Sequence, residues 1–596
     1  MGEASRIAGS MSYGRLRKAA ARLRALVRAY DIFLLPLALI IGVIAGSTVT
    51  LVSEIAQLAH VLIYGIPIDV RLSANASVNP LAAAIAPASG GLILGVMEWS
   101  RRRWKIAHAV DPIEANALRG GHLSIRDSVV VTTQTLISNG AGASVGLEAG
   151  YTQIGAGAAS LIGRRLNLRR SDLRLMVGCG AAGAISAAFG APLTGAFYAF
   201  ELILGVYSIA SAAPILASSI SAALIANWLG GAPYSLETSH LAAVAGEQYP
   251  SLIALGLITG LLGIAIIRAS TLLDRLFNRK WLPIWCKPVV GGLCIGAMAM
   301  ITPQVLGAGH GAMVLDLNRD MATTAILTVV VLKLGACLIS LASGFRGGLF
   351  FASLFVGCLI GKLYAVLLHL TSIDPSLDAT TSALTGMACL GVAIVGGPLT
   401  MSFLVLEMTR NLEVSAGVLT ACFVTSVAVR GIFGHSFSTW RLHLRGETVR
   451  SANDVGWLRN LTVERMMRTD VALIADTATV AECLAEFAAG AGQARIIVGP
   501  DNVYRGIILA GELNVAAVDI EAHGTPVLAY AKYADTFLLP AMNVKMAMKA
   551  FDQAEADMLA VVENATSRKV IGFLNESYAG RRYVEELSRA TNSLVT

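Results

Sequence analysis

The sequence predicts an all-α polytopic membrane domain, with an inverted repeat and interrupted helices, followed by a soluble α/β unit. Three observations carry that expectation. The 596 residues are 55% hydrophobic and only 14% charged, against roughly a quarter charged in an ordinary soluble chain. Charge is also unevenly divided: residues 1–444 hold 31 basic and 20 acidic side chains, and residues 445–596 hold 15 and 19. The boundary near residue 445 is therefore a change of solvent. Finally, two distant apolar segments share Gly, Pro-Leu-Thr, Phe and Glu in register. The formal charge of +7 resides wholly in the apolar part, which points to membrane orientation and away from nucleic acid.

Residues 1–31 carry seven basic groups, among them Arg15, Arg17, Lys18, Arg22, Arg24 and Arg28, and two acids. The positive-inside rule places this segment in the cytoplasm. It is not read as a secretory leader, because no small-residue cleavage site leading into a soluble mature domain follows it and apolar spans continue for hundreds of residues. Residues 32–440 then alternate apolar runs with short polar ones, at 32–56, 78–97, 172–229, 251–268, 283–302, 322–343, 347–370 and 382–433. Several exceed the ~20 residues that span hydrocarbon. Others are broken by Gly and Pro, as re-entrant helices lining a protein interior are. Two further basic clusters, Arg164, Arg165, Arg169, Arg170 and Arg174, and Arg268, Arg275, Arg279, Lys280 and Lys287, fall on the cytoplasmic side by the same rule. The eight cysteines are scattered singly, without Cys-x-x-Cys or His partners, and read as small packing residues. No metal site is expected.

The repeat joins Gly190-Ala191-Pro192-Leu193-Thr194, running on to Phe200-Glu201, with Gly396-Gly397-Pro398-Leu399-Thr400, running on to Leu406-Glu407. A shared Pro-Leu-Thr followed at a fixed distance by Glu is a stronger sign of duplication than shared hydrophobicity. Duplicated membrane halves place their site at the repeat interface. Pro192 and Pro398 suit a first helical turn, so one helix must end and another begin inside the membrane. Such a helix start aims N–H groups and the positive end of a dipole into the protein, where an anion fits.

One acid stands out. Glu148 opens an apolar helix within Gly140-Ala141-Gly142-Ala143-Ser144-Val145-Gly146-Leu147-Glu148-Ala149-Gly150. Holding that carboxylate charged costs on the order of a few kcal/mol unless donors surround it. If backbone amides there can hold an anion, the carboxylate can occupy the same place as a tethered competitor, released by protonation. That is a physical basis for a gate. The competing reading is an acid favoured at a helix N-terminus by the macrodipole. A second Gly-rich stretch, Ser343-Gly344-Phe345-Arg346-Gly347-Gly348-Leu349-Phe350-Phe351-Ala352, opens another apolar helix; close helix packing alone accounts for it nearly as well. His310, within Gly307-Ala308-Gly309-His310-Gly311, is read as a surface loop residue because no partner lies near it in sequence.

From residue 32 onward these segments resemble the CLC family of chloride channels and chloride/proton exchangers. Gly146-Leu147-Glu148-Ala149-Gly150 resembles the family's Gly-Lys/Arg-Glu-Gly-Pro motif, which implies that Glu148 is the gate and that Gly146, Leu147 and Ala149 belong to the anion site. Gly348-Leu349-Phe350-Phe351-Ala352 resembles Gly-x-Phe-x-Pro, which implies anion-binding amides at Gly348, Phe350 and Phe351. The two Pro-Leu-Thr segments match helices that flank the family's dimer interface and cytoplasmic vestibule. The resemblance also exposes departures. Ala109, in His108-Ala109-Val110-Asp111-Pro112, falls where a coordinating Ser is expected, and Ser438 where a coordinating Tyr is expected. Ala352 replaces the motif's Pro. The internal proton-transfer Glu falls on Leu202, beside Glu201, which is left as a candidate for the proton path. Two side-chain donors are thus missing, and channel and proton-coupled exchanger both stay open.

Residues 441–458 form a linker. Beyond it, short strands at Val471-Ala472-Leu473-Ile474, Arg495-Ile496-Ile497-Val498 and Gly506-Ile507-Ile508-Leu509 surround a helix over 479–490. A similar order recurs at 536–540, 544–554, 558–562 and 570–574. The duplication resembles a pair of CBS domains, 459–520 and 521–596, expected to pack against the membrane domain and bias its gate. The resemblance makes an adenine nucleotide a candidate ligand, but the ribose-binding acid positions are Glu512 and Tyr578, and no Gly-rich phosphate loop is present. A structural or dimerising tail is the alternative.

The function these readings imply is a voltage- or pH-gated chloride channel. It would be a multi-pass homodimer of the plasma or bacterial inner membrane with cytoplasmic termini, and without a cofactor. The alternatives are a chloride/proton antiporter of the same fold and a non-conducting membrane sensor signalling through the tail. An enzyme finds no support in any Ser/His, paired-Asp or metal constellation.

Overall fold

The computed structural model describes residues 31–75, 77–106, 108–231, 244–278, 282–319, 321–445, 461–489, 494–511, 513, 523–583 and 585. The basic cluster from Arg15 to Arg28, Arg279, Lys280, most of the linker and Glu512 lie outside the described residues. The chain forms two compact units, Met1–Asp454 and Val455–Thr596.

The first unit is helical. In chain order it comprises α1 (Leu34–Tyr64), α2 (Pro80–Arg103), α3 (Pro112–Leu118), α4 (Ile125–Gly140), α5 (Glu148–Arg165), α6 (Arg170–Phe189), α7 (Pro192–Tyr198), α8 (Ile209–Trp228), α9 (Tyr249–Phe277) and α10 (Lys287–Ala299). It continues with α11 (His310–Asn318), α12 (Thr323–Ser343), α13 (Phe350–Thr371), α14 (Ala379–Val395), α15 (Pro398–Thr409), α16 (Leu412–Ile432) and α17 (Phe437–Leu444). Among the described residues, eight helices are long and apolar enough to cross a membrane. The apolar run 172–229 breaks where Gly190 (φ 64) and Gly205 (φ 72) turn left-handed, and the run 382–433 breaks at Gly396 (φ 97) and Arg410 (φ 53). Pro192 and Pro398 then open new helices. The interrupted helices expected from the sequence are present.

Helix α4 is absent from the apolar runs because Thr132, Gln134, Thr135, Ser138 and Asn139, all buried, interrupt its hydrophobicity. It tolerates burial because its hydroxyls bond back to its own carbonyls, Thr132 to Ser128 at 2.8 Å, Thr135 to Val131 at 2.8 Å and Ser138 to Gln134 at 2.8 Å. Side chains that satisfy themselves along the helix cost little in a membrane.

Helices α5, α6 and α7 repeat as α13, α14 and α15, and the contacts between the copies are symmetric. Where α5 crosses α6, Gly155 and Gly180 each leave no room for a Cβ against the other's carbonyl oxygen; Gly357 and Gly386 do the same where α13 crosses α14. Small residues give membrane helices this close backbone approach. The Glu that ends each repeat motif crosses to the other copy. Glu407 accepts the N–H groups of Leu193 (2.7 Å) and Thr194 (2.8 Å) and the Thr194 hydroxyl (2.7 Å). Glu201 accepts those of Leu399 (3.0 Å) and Thr400 (2.8 Å) and the Thr400 hydroxyl (2.6 Å). The anion at each of these two helix starts is thus a carboxylate of the opposite repeat, which corrects the expectation that the starts at Pro192 and Pro398 hold a diffusible ion.

The second unit is α/β and is itself duplicated. After α18 (Val463–Met466) come β1 (Leu473–Ala475), α19 (Val480–Ala489), β2 (Ala494–Val498) and β3 (Tyr504–Leu509); β1 is parallel to β2, and β2 antiparallel to β3. Then α20 (Val544–Ala554) precedes the antiparallel pair β4 (Met558–Val562) and β5 (Val570–Asn575), with Leu538 bridged parallel to Val561. Both copies carry a register shift at the end of the middle strand, at Ile497/Val498 and at Val561/Val562. The copies exchange equivalent bridges: Thr462 to Asn543 is matched by Thr479 to Pro526, and Arg468 to Phe573 by Ile507 to Lys532. Cys483 is buried in this unit, which pushes its thiol up to about 11, as suits a packing residue.

Truncating Glu407 to Ala strips two amides and a hydroxyl of their acceptor, which costs about 1–3 kcal/mol. The midpoint of thermal unfolding in detergent is expected to fall by several degrees, and an unchanged midpoint would refute the importance of the swapped carboxylates.

Candidate functional site

The two Gly-rich segments singled out in the sequence meet. Gly146 and Gly348 form an antiparallel bridge, with the Gly146 N–H donating to Gly348 O at 3.0 Å and the Gly348 N–H to Gly146 O at 3.1 Å. These are equivalent positions of the two repeats, two residues before Glu148 and Phe350, so α5 and α13 begin on either side of one point. Neither helix start has a side-chain cap. The first bonds within the helices are Tyr151 N–H to Leu147 O and Ser353 N–H to Leu349 O. The amides of Glu148, Ala149 and Gly150, and of Phe350, Phe351 and Ala352, are therefore not spent on their own helices. A Cβ placed on Gly348 would stand 3.3 Å from Glu148 Oε2, 3.7 Å from the Ala149 N and 3.8 Å from the Phe350 N. Gly146, Leu147, Glu148, Ala149, Gly348, Phe350 and Phe351 surround one spot.

Glu148 folds into that spot and is 4% exposed. The amides of Glu148 and Phe351 are aimed at the carboxylate, yet neither oxygen completes a hydrogen bond. Gly146 makes the pose possible, since a Cβ there would collide with the carboxylate. The loops are pinned from outside: Asn139 Nδ2 donates to Val145 O (2.9 Å), the Ser144 N–H to Ser340 Oγ (3.1 Å) and the Arg346 N–H to Ser138 Oγ (2.9 Å). The Phe189 ring, at the end of α6, stacks on Phe351 with centroids 5.9 Å apart and planes 11° apart. A cavity of about 30 Å³ opens on Glu148, lined also by Thr50, Ser53, Glu54, Arg71, Tyr151, Phe189 and His310. That is room for about one water or a small ion.

His310 corrects the sequence reading. It is not a surface loop residue: it heads α11, its Nε2 lies 4.0 Å from Glu148 Oε1, and its ring centroid lies 3.5 Å from that of Phe351. Nothing in its sequence neighbourhood signals this, because the contact joins residues far apart in the chain.

Ala109 precedes α3, whose approach is tied to α5 by Gln153 Nε2 donating to Val110 O at 2.9 Å. Ser438 lies in the first turn of α17, and the N-cap of that helix, Ser436, abuts Gly396 ahead of α15. Arg346, two residues before Gly348, is a cation near both segments: it acts on His108 and is itself acted on by Arg441, Glu98, Arg445 and Arg101. Sequence reasoning passed over Arg346 because the motif resemblance covers the residues after it. Glu201 is engaged as the cap of α15, and Leu202 beside it is buried. In the second unit Tyr578 is 40% exposed. Among the described residues no group of three His, Cys, Asp or Glu side chains could hold a metal ion.

Interrupted helices, duplicated about a bridge where amide-bearing helix starts converge on a buried carboxylate, define a membrane protein built to pass a small anion. The sequence pattern described as "Voltage gated chloride channel" matches residues 90–430, and the chain belongs to that family. It is a CLC-type chloride transport membrane protein. A "Putative chloride channel protein ClcB-like" of Ralstonia nicotianae is 32% identical over 364 residues, 59% of this chain and 84% of that protein. A "Voltage-gated ClC-type chloride channel ClcB" of Escherichia coli is 29% identical over 411 residues, 68% of this chain and 97% of that protein. Among solved structures, a slow cyanobacterial Cl−/H+ antiporter matches with a TM-score of 0.59 and 24% identity, covering 69% of this chain and 97% of that one. A eukaryotic CLC transporter matches with a TM-score of 0.58 and 16% identity, covering 93% of this chain and 98% of that one.

Gly146→Ala is expected to push the carboxylate out of its place and raise chloride efflux from proteoliposomes at neutral pH several-fold, with Glu148 itself unchanged. Efflux no faster than that of the parent protein would show that the pose does not depend on Gly146.

Proposed function

We propose that the protein is a chloride channel in which the Glu148 carboxylate and the permeating anion compete for one set of backbone amides. The observation that carries this reading is the Gly146–Gly348 bridge, which turns two helix starts toward a buried carboxylate that completes no hydrogen bond of its own. The amides of Ala149, Phe350 and Phe351 supply the anion site, and Gly146, Leu147 and Gly348 form its wall by holding the two helix starts together. Protonation, or displacement by chloride, removes the tethered charge and opens the path. Ala109 and Ser438 line the approach from the other side, where the guanidinium of Arg346 supplies the attraction that a Ser and a Tyr hydroxyl would give. Each subunit of a homodimer holds its own pathway, both termini face the cytoplasm, and the membrane is the plasma or bacterial inner membrane. The two curated bacterial relatives carry chloride-channel names, whereas one of the solved structures is a Cl−/H+ antiporter, so the comparisons are compatible with channel and antiporter alike.

The channel reading is favoured over the antiporter reading by one side chain. A proton relay needs a second titratable group on the far side of the gate; Leu202 cannot serve, and the Glu201 carboxylate is already bound to the start of α15. We assign the second unit to a CBS pair that regulates the channel, on the duplicated β-α-β-β pattern and its exchanged bridges.

Two measurements test these assignments. In proteoliposomes, Glu148→Gln is expected to conduct chloride with no dependence on pH between about 3.5 and 8, a range that begins below the ordinary glutamate value, whereas the parent protein gains efflux on acidification. Acid activation surviving in that variant removes Glu148 from the gate, and uphill proton movement driven by a chloride gradient in the parent protein replaces the channel with the antiporter. Calorimetric titration of the full-length protein with ATP and AMP is expected to give no heat at millimolar ligand, because Tyr578 cannot replace a ribose-binding carboxylate; saturable heat would overturn that expectation.

A further inference from the structure

A second cavity lies at the far end of α5 from the gate. It measures about 780 Å³ and is walled by the loop that leaves α3 (Leu118 and Arg119), the end of α5 with its turn (Arg164 and Leu168) and the start of α6 (Arg170 and Leu173). Arg164 stands sixteen residues on from Glu148 along α5, about 24 Å at the helical rise. The walls are fixed by backbone. Gly120 (φ 60) and Gly121 (φ 83) turn the loop left-handed. A Cβ on Gly120 would stand 2.4 Å from Arg170 Nε, and one on Gly121 3.1 Å from the Arg174 N, so the loop lies directly on the start of α6. Ser160 of α5 ties the same loop down, accepting the Leu123 N–H at 2.9 Å and donating to Gly121 O at 2.8 Å. Across the cavity the Leu168 N–H donates to Gly163 O at 3.0 Å, and Gly163 leaves the room that the Leu168 and Leu173 side chains fill.

The charge of this cavity is one-sided. The Arg119 guanidinium is taken by Glu114, Nη2 to Oε1 at 3.0 Å. Asp172, in the first turn of α6, accepts the Ser171 hydroxyl at 3.1 Å. Among the described residues no carboxylate comes within ion-pair distance of Arg164 or Arg170. Arg170 and Arg174 lie four apart on α6 and repel one another, and the buried Arg174 Nε meets no acceptor. The start of α6 has no side-chain cap and adds the positive end of its dipole. Leu118, Leu168 and Leu173 make the rest of the wall apolar. The volume is far larger than a halide needs and falls among those of organic-ligand sites. We propose that this cavity binds the phosphate of an anionic phospholipid, with Arg164 and Arg170 on the phosphate and the leucines against the start of the acyl chains. Any phosphate ester shares the charge; the apolar wall, at the ends of membrane helices, favours the lipid over a soluble one. Basic pockets between membrane helices on the cytoplasmic side hold such headgroups. The inference rests on the cytoplasmic placement of this face and not on the reading of Glu148.

The test titrates the full-length protein in detergent with dioleoyl-phosphatidylglycerol or dioleoyl-phosphatidylcholine and counts bound lipid by native mass spectrometry. The parent protein is expected to retain phosphatidylglycerol about tenfold more tightly than phosphatidylcholine. Arg164→Gln combined with Arg170→Gln is expected to abolish that preference. Arg268→Gln combined with Arg275→Gln removes two cations elsewhere on the same face and is expected to keep it. Equal retention of the two lipids by the parent protein overturns the proposal, and so does an equal loss in both double variants, which would assign the preference to surface charge alone. Glycerophosphoglycerol and inorganic phosphate carry the phosphate without the chains, and neither is expected to displace the lipid at millimolar concentration. Displacement by either overturns the lipid assignment and makes the cavity a site for a soluble phosphate. Should the Arg164, Arg170 variant fail to fold, the two-lipid comparison and the competition on the parent protein still decide. Failure of the channel reading is separable, because no arm of the test measures chloride.

Discussion

Everything at the centre of the membrane unit depends on the pair of hydrogen bonds between Gly146 and Gly348. Two equivalent residues can exchange N–H and C=O in both directions only across a local two-fold, so the bridge fixes the relation of the repeats as well as their distance. Once it is made, α5 and α13 must start at the same depth, and their uncapped amides must face a common volume. A side chain on Gly146 would enter the volume where the Glu148 carboxylate lies. On the proposed reading, recognition at this point is left to backbone dipoles, which need no side-chain entropy to be held in place.

On the proposed reading, backbone coordination also accounts for the absence of the two side-chain donors that the family resemblance leads one to expect. Ala109 and Ser438 sit on segments held near Arg346, and a guanidinium draws an anion over a longer range than a hydroxyl does. A hydroxyl fixes an ion at one distance and strips its water; a cation raises its local concentration without demanding a single geometry. In the proposed function the amide site keeps the task of discrimination, and the cationic approach supplies attraction.

Much of this was legible in the sequence. Pro192 and Pro398 marked the helix breaks, and the shared Pro-Leu-Thr and Glu exposed the duplication. Glu148 was identifiable because a carboxylate in a Gly-rich apolar stretch is too costly to bury unless the site makes use of it. Three features were hidden, each for a physical reason. Helix α4 carries Thr and Ser that bond to their own helix, so its polarity masks its membrane setting. His310 acquires its meaning from a contact between α5 and α11, which leaves no local trace in either segment. The Glu201 carboxylate was left as a candidate for the proton path because the family resemblance set it beside Leu202, and the sequence does not show that it, like Glu407, lies across the repeat on the start of the other copy's helix.

That exchange of carboxylates has a consequence for history and for assembly. Each half of the membrane unit is finished by an atom group belonging to the other: Glu407 completes the helix that begins at Pro192, and Glu201 the one that begins at Pro398. A lone half would carry a stranded acid and two bare amides in a medium with no water to relieve them. A single-copy forerunner would thus have been viable only as a self-paired molecule, each copy lending its acid to its twin. Fusion of the two genes would have turned a reciprocal loan between chains into an internal bond, freeing the halves to diverge everywhere except where they still hold one another.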